Sequence, residues 1–282
     1  MKQSVLEYKK LLEQEGLLVE FAEPEGKEGE DRPVTLVTYF SGGADQGTLF
    51  LCKGAAFKEA YLKDAVNRGA VAYVSEKKYE AGKEIPALIV NDARKAQFVL
   101  GEAFYDYPAK SLHVTALTGT KGKTTTTYMV KSILEAAGHN VGLIGTIEMI
   151  IRDETIPAAN TTPESYVIQE TFRKMVDAGC KCVVMEVSSQ GLMLHRVGGF
   201  VFDYGIFTNL DHIGPNEHRD LDDYIYCKSL LFRQCRYGIF NADDSHLEQI
   251  MEGHTCQVET YGFSENADLR AQGVHLFDKG GV

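Results

Sequence analysis

One stretch constrains this chain more than any other: Ala116-Leu-Thr-Gly-Thr-Lys-Gly-Lys-Thr-Thr125. It lies between His113–Thr118, which reads as a strand, and Thr124–Ala137, which reads as a helix ended by Gly138. Strand, glycine loop and helix in that order make a phosphate cradle. The glycines let backbone N–H groups turn inward on phosphate oxygens. Lys123 supplies a point charge for the outer phosphates, Thr124 a hydroxyl for Mg²⁺, and the helix dipole favours an anion. Where the general phosphate-loop pattern opens on a glycine, Leu117 stands instead.

Such a loop needs a parallel sheet, and the sequence around it has the rhythm of one. Val141–Ile144, Cys182–Val187, Tyr204–Leu210, Tyr237–Asn241, Val258–Phe263 and Gly273–Phe277 read as strands. Helical spacing fills Pro163–Ala178, ended by Gly179, and Asp222–Cys235. Before the loop, Val34–Thr38, Leu49–Cys52, Val71–Val74 and Ala87–Val90 read as short strands, and 4–15, Phe57–Arg68 and Ala93–Phe104 as helices. Tyr107-Pro108 breaks the last of these. The expected fold is therefore α/β: a small N-terminal α/β domain, 1–110, then a phosphate-loop domain, 111–282, with a mostly parallel sheet and helices on both faces.

The 282 residues suit about two domains. A net charge of -11 repels phosphate backbones over most of the surface, which excludes a general nucleic-acid binder but not a local cationic pocket. No apolar run is long enough to span a membrane, and the charged start MKQSVLEYKKLLEQEG is no secretory signal. The six cysteines make no CxxC pair and have no zinc spacing, so they read as reduced thiols of a cytoplasmic protein. At the other end, Lys279-Gly-Gly-Val282 reads as a hairpin turn opening a strand with no continuation, as if the sequence stops inside a domain.

Several motifs then fall in one order. Thr118-Gly-Thr-Lys-Gly-Lys-Thr-Thr125 is followed by Asn160-Thr-Thr-Pro163, Met185-Glu-Val-Ser-Ser189 and Phe207-Thr-Asn-Leu-Asp-His212. Tyr224-x-x-x-Lys228-x-x-Leu-Phe232 and Asn241-Ala-Asp-Asp244 complete the series. This set resembles the Mur ligases, and among them the members that add the third residue of the peptidoglycan stem peptide. The resemblance covers about residues 30–282 and leaves out the family's third domain, which completes the ATP site and selects the amino acid. It implies an ATP-dependent amide ligase acting on a UDP-N-acetylmuramoyl-dipeptide and an amino acid, through an acyl phosphate, as a cytoplasmic monomer. Two rival readings stay open: another Mur-type ligase, folylpolyglutamate-like or cell-wall amidating, and a nucleotide-binding paralogue without ligase activity.

Site residues follow from the same resemblance. Gly119, Thr120, Lys121, Gly122, Lys123, Thr124 and Thr125 would form the ATP loop, with no separate role for the Lys121 charge, and Asn241 would meet adenine. Thr124, Glu186, His212 and Lys228 would serve the Mg²⁺ site, Lys228 as a carbamylated lysine, because a cationic amine does not coordinate a metal. Glu186 also suits that role by position, at the C-terminal end of a parallel strand near the loop. His212 follows Asn209-Leu210 more closely than the family pattern has it, so His218 competes for its place. Thr161, Thr162, Ser188, Gln190 and Arg196 would hold the muramoyl peptide, Gln190 standing where a histidine is commoner. In the first domain only Ser41 carries over toward the uridine nucleotide.

Overall fold

The computed structural model describes residues 3–26, 29–54, 57–211, 218–277 and 280–281. The chain divides into two compact units: residues 1–108 with Glu164–Arg173, and 109–163 with 174–282.

In the first unit the chain forms α1 (Val5–Gln14), β1 (Leu18–Ala22), β2 (Leu36–Thr38), β3 (Thr48–Leu51), α2 (Glu59–Asn67), β4 (Ala70–Ser75), β5 (Ala87–Val90) and α3 (Ala93–Phe104). Ser4 and Glu7 form a capping box that starts α1, and the Asp92 carboxylate caps α3. The sheet runs β1-β5-β4-β3-β2, parallel except for β1 against β5. Strand alternation sorts the side chains into two cores. Leu49, Leu51, Leu88 and Val90 pack with Tyr8 and Leu12 of α1 and Val99 and Leu100 of α3. Phe50, Cys52, Ala87 and Ile89 pack with Leu62 and Ala65 of α2.

The second unit contains β6 (His113–Thr118), α4 (Lys123–Ala136), β7 (Val141–Ile144), β8 (Glu148–Ile151), β9 (Glu154–Pro157), α5 (Ser165–Asp177, of which 174 onward belongs here) and β10 (Cys182–Glu186). It continues with α6 (Ser189–Met193), β11 (Phe202–Phe207), α7 (Leu221–Ser229), β12 (Cys235–Asn241), α8 (Leu247–Met251), β13 (Gln257–Gly262) and β14 (Leu269–Arg270). The sheet order is β14-β13-β12-β11-β6-β10-β7-β8-β9. β14 through β7 are parallel, and β8 and β9 add an antiparallel hairpin at one edge. Val130 and Leu134 of α4 cover Leu117, Val141 and Val184. On the other face Gly142 lies against the Met175 side chain, where an added Cβ would come within 2.4 Å of its sulphur. Helices thus cover both faces of a mostly parallel sheet.

Some elements differ from the sequence reading. Helix Asp222–Cys235 stops as an α-helix at Ser229, tightens into a 3₁₀ turn over Leu230–Arg233, and yields to β12 at Cys235. The cause is packing: Phe232 turns down onto Phe240, 4.3 Å between ring centroids. The strand at Tyr204–Leu210 begins and ends earlier, at Phe202–Phe207. Toward the end, Leu269–Arg270 joins the main sheet, whereas β15 (Leu276–Phe277) pairs only with β16 (Gly280–Gly281) as a separate hairpin. Among the described residues no helix is long and apolar enough to cross a membrane.

β6 is flanked by β10 on one side and β11 on the other. The chain crosses from one side to the other between these strands, so the crevice above the C-terminal end of β6 is the topological switch point where ligands settle in such sheets.

Candidate functional site

The loop after β6 is fixed from below by the end of β11. Thr120 N–H donates to the Asn209 carbonyl (2.8 Å) and Lys121 N–H to Asn209 Oδ1 (3.1 Å). Thr208 Oγ1 and Asn209 Nδ2 donate to the Lys121 carbonyl at 2.8 and 3.1 Å. Gly119 has φ +151, and a Cβ there would sit 2.0 Å from Thr208 Oγ1. Gly122, at φ +81, caps α4 without a side chain. The first N–H groups of α4 therefore open into the crevice with no capping side chain before them.

A cleft of about 480 Å³ lies there, lined by Thr120, Gly122, Lys123, Thr124, Thr125, Thr146, Thr161, Glu186 and Ser188. Glu186, 1% exposed, ends β10. Its carboxylate accepts from Thr124 Oγ1 (2.9 Å), Thr146 N–H (2.9 Å) and Thr146 Oγ1 (3.0 Å). It makes no ion pair among the described residues, and a buried carboxylate is costly without a cation. Clustered carboxylate and hydroxyl oxygens are the donors a hard divalent cation takes, so the residues present fit Mg²⁺.

Two lysines share one acceptor in this place. Lys123 Nζ donates to the carbonyls of Gly119 (3.0 Å) and Thr120 (3.2 Å). Lys228 Nζ, from α7, donates to the same Gly119 carbonyl at 2.9 Å and lies 4.4 Å from the centroid of the Tyr224 ring. Lys228 is 1% exposed. Burial, and then the Lys123 charge, hold its amine well below the ordinary lysine range. Burial lowers Lys123 as well, with Glu186 opposing. Lys228 is thus shifted toward the neutral amine relative to an ordinary lysine.

Below the cleft, Thr162 Oγ1 meets the Glu186 carbonyl, Ser188 Oγ (both 3.2 Å) and Ser188 N–H (2.9 Å). Arg196 Nη1 donates to the Thr162 carbonyl at 3.0 Å, and Thr161 Oγ1 lies 3.1 Å from Thr146 Oγ1. Ser188 caps α6, and Gln190 is half-buried within it.

Lys121 points outward to Asp211 (2.6 Å), its side chain 65% exposed. The Asn241 amide donates to the Thr208 carbonyl (2.8 Å), and its oxygen accepts from Asp243 N–H (3.0 Å). Ser41 lies in the first unit, in a 3₁₀ turn over Ser41–Gly43. His212 falls outside the described residues. Its competitor His218 is turned toward Ser189 Oγ (2.9 Å) and Asp223 Oδ2 (3.3 Å) rather than Glu186.

Thr146, Thr208 and Tyr224, whose Oη is 3.2 Å from Thr120 Oγ1, carry parts of the site that sequence reasoning gave no role. Thr208 and Tyr224 lie inside motifs quoted above, and Thr146 is marked only by following the end of a parallel strand.

A phosphate loop on a switch-point sheet, with a buried glutamate at the next strand end, defines a class of nucleotide-dependent enzymes. The sequence signature of the Mur ligase middle domain matches residues 117–282, and the chain belongs to that family. It is 38% identical over 262 residues to the UDP-N-acetylmuramoyl-L-alanyl-D-glutamate--2,6-diaminopimelate ligase of Bacillus licheniformis, covering 89% of this chain and 53% of that protein. It is 42% identical over 219 residues to the UDP-N-acetylmuramoyl-L-alanyl-D-glutamate--L-lysine ligase of Streptococcus pneumoniae, covering 77% and 45%. The chain spans about half the length of the curated relatives it matches. A solved UDP-N-acetylmuramoyl-L-alanyl-D-glutamate--2,6-diaminopimelate ligase has the same fold, with TM-score 0.78 at 21% identity over 88% of this chain and 53% of that one.

Proposed function

We propose that the protein is an ATP-dependent ligase of peptidoglycan precursor synthesis, adding the third stem-peptide residue to UDP-N-acetylmuramoyl-L-alanyl-D-glutamate. The observation that carries this reading is the convergence of Lys123, Thr124, Glu186 and Lys228 on the Gly119 loop. The names of the relatives support the substrate, and they divide between diaminopimelate and lysine as the added residue. Residues 1–110 serve in this reading as the UDP-sugar-binding domain, with Ser41 at the nucleotide, and 111–282 as the central ATP-binding domain. The protein works as a cytoplasmic monomer.

ATP is a substrate. Its phosphates lie along Gly119–Thr125, on the N-terminus of α4, with Lys123 at the γ-phosphoryl and Asn241 toward adenine. The γ-phosphoryl passes to the γ-carboxylate of the D-glutamate and ADP leaves. The amine of the incoming residue then forms the amide bond, and phosphate departs. Thr161, Thr162, Ser188, Gln190 and Arg196 hold the peptide so that its carboxylate faces the loop. Mg²⁺ would be held by Thr124, Glu186, His212 and Lys228 and would supply charge neutralisation to the phosphates. The Lys228 amine, its proton affinity lowered by burial, would add to CO₂ and release a proton to solvent, giving a carbamate that brings a negative charge to the site.

The test is phosphate release by the whole protein. Release is expected only with ATP, UDP-N-acetylmuramoyl-L-alanyl-D-glutamate and diaminopimelate or lysine present together. Release indifferent to the muramoyl dipeptide overturns the reading.

Lys228 also yields a stability prediction. Between its lowered folded pKa and the ordinary lysine pKa, the unfolded chain binds the additional proton. The buried amine therefore costs stability below that window, and the cost falls as pH rises through it. Lys228→Met is expected to raise the urea midpoint at neutral pH in CO₂-free buffer while abolishing ligation. A lowered midpoint there would mean that burying the amine carries no net cost.

A further inference from the structure

Cys235 and Cys256 meet at the end of the sheet opposite the phosphate loop. Cys235 opens β12, and Cys256 directly precedes β13. These strands are parallel, with Tyr237 opposite Gln257. The two cysteines therefore lie on adjacent strands, one residue out of register. Neighbouring strands run ~4.8 Å apart, inside the Cα separation that a disulfide spans.

Two glycines make the room for their sulphurs. Gly205 of β11 pairs with Gly238 of β12. A Cβ on Gly205 would come within 3.0 Å of Cys235 Sγ, and one on Gly238 within 2.6 Å of Cys256 Sγ. Both sulphurs thus occupy space beside one glycine pair where side chains would otherwise stand. The two thiols lie close enough for each to act on the ionisation of the other. Cys235 is buried and Cys256 half-buried, so an oxidant reaches Cys256 first.

We propose that Cys235 and Cys256 are a reversible disulfide site that staples β12 to β13. With hydrogen peroxide as oxidant, the Cys256 sulphur attacks one peroxide oxygen and the O–O bond breaks. Cys256 becomes a sulfenic acid, and the departing hydroxide takes the thiol proton as water. The Cys235 sulphur then attacks the sulfenic sulphur, its proton goes to the leaving hydroxyl, and a second water departs. Two thiols are oxidised and one peroxide is reduced. Burial and the neighbouring Cys256 hold the Cys235 thiol above its ordinary range, which suits it to the second step rather than the first. The bond closes the loop that carries α8 and restricts the unfolded chain.

The test is peptide mapping of the native protein after a small excess of hydrogen peroxide and alkylation of the remaining thiols. The expected product is one peptide pair joined through Cys235 and Cys256, about 2 Da lighter than the two free thiol peptides and separated by a dithiol. The oxidised protein should unfold at higher urea than the reduced one. Cys256→Ser should leave Cys235 as a free thiol after the same treatment. Alkylation of both cysteines in the oxidised wild type, or over-oxidised Cys256 without a link, overturns the proposal. The mapping needs no variant, so a folding defect in Cys256→Ser leaves the test intact.

Discussion

Lys123→Ala is expected to lower ATP-dependent phosphate release by about 10²–10⁴-fold while leaving the fold intact. The amine is the one cation whose atoms reach the loop carbonyls and also line the cleft beside Glu186, among the described residues. Its burial makes the loss large, because a charge in a partly desolvated cleft acts on phosphate with little screening. The fold should survive, because Lys123 opens α4 at its first turn and the apolar side of that helix, Val130 and Leu134, is untouched. Steady-state rates beside a urea melt check both halves. A rate within about threefold of wild type at an unchanged melt would remove Lys123 from the phosphate site.

Gly119→Ala should lose nucleotide affinity by roughly 10²-fold, through the backbone alone. At φ +151 any Cβ is strained, a cost of about 1–3 kcal/mol. That Cβ would also meet Thr208 Oγ1 at 2.0 Å and the Asn209 backbone at 3.0–3.1 Å. The loop must move, and its moving carries the Gly119 carbonyl away from both lysines. Adding Thr208→Ala removes the nearest clash but not the backbone strain or Asn209, so it should restore affinity only in part. Titration calorimetry with Mg·ATP distinguishes these outcomes. Wild-type affinity in Gly119→Ala would mean the loop tolerates a side chain, contrary to the geometry.

Features carried by local chemistry are readable from the sequence alone. The phosphate loop, the span Ala93–Phe104 of α3 and the strand His113–Thr118 are examples, with glycine placement, a capping Asp92 and β-branched runs to mark them. Three elements have no such marks. β1 shows no clean alternation of burial along its length. The β8–β9 hairpin turns at Arg152, φ +57, without the glycine or asparagine that usually signals a hairpin. The α7 helix gives way to a 3₁₀ turn because Phe232 answers to a ring on another strand.

The site divides in the same way. The sequence places Lys123 and Thr124 by their neighbours, and Glu186 by its strand end. It gives no sign that Lys228 reaches a carbonyl 109 positions away, or that Thr146 supplies two of the three hydrogen bonds to Glu186. Nor does a motif decide between histidines: His218 is committed to Ser189 and Asp223 by contacts that arise only when α6 and α7 pack.

The most direct measurement of the central claim follows an oxygen atom. UDP-N-acetylmuramoyl-L-alanyl-D-glutamate carrying ¹⁸O in the γ-carboxylate is supplied to the whole protein with Mg·ATP and the acceptor amino acid. If the Gly119 loop, Lys123 and Glu186 deliver the γ-phosphoryl to that carboxylate, one labelled oxygen leaves in each phosphate released. Unlabelled phosphate, or label appearing in AMP, would contradict the account.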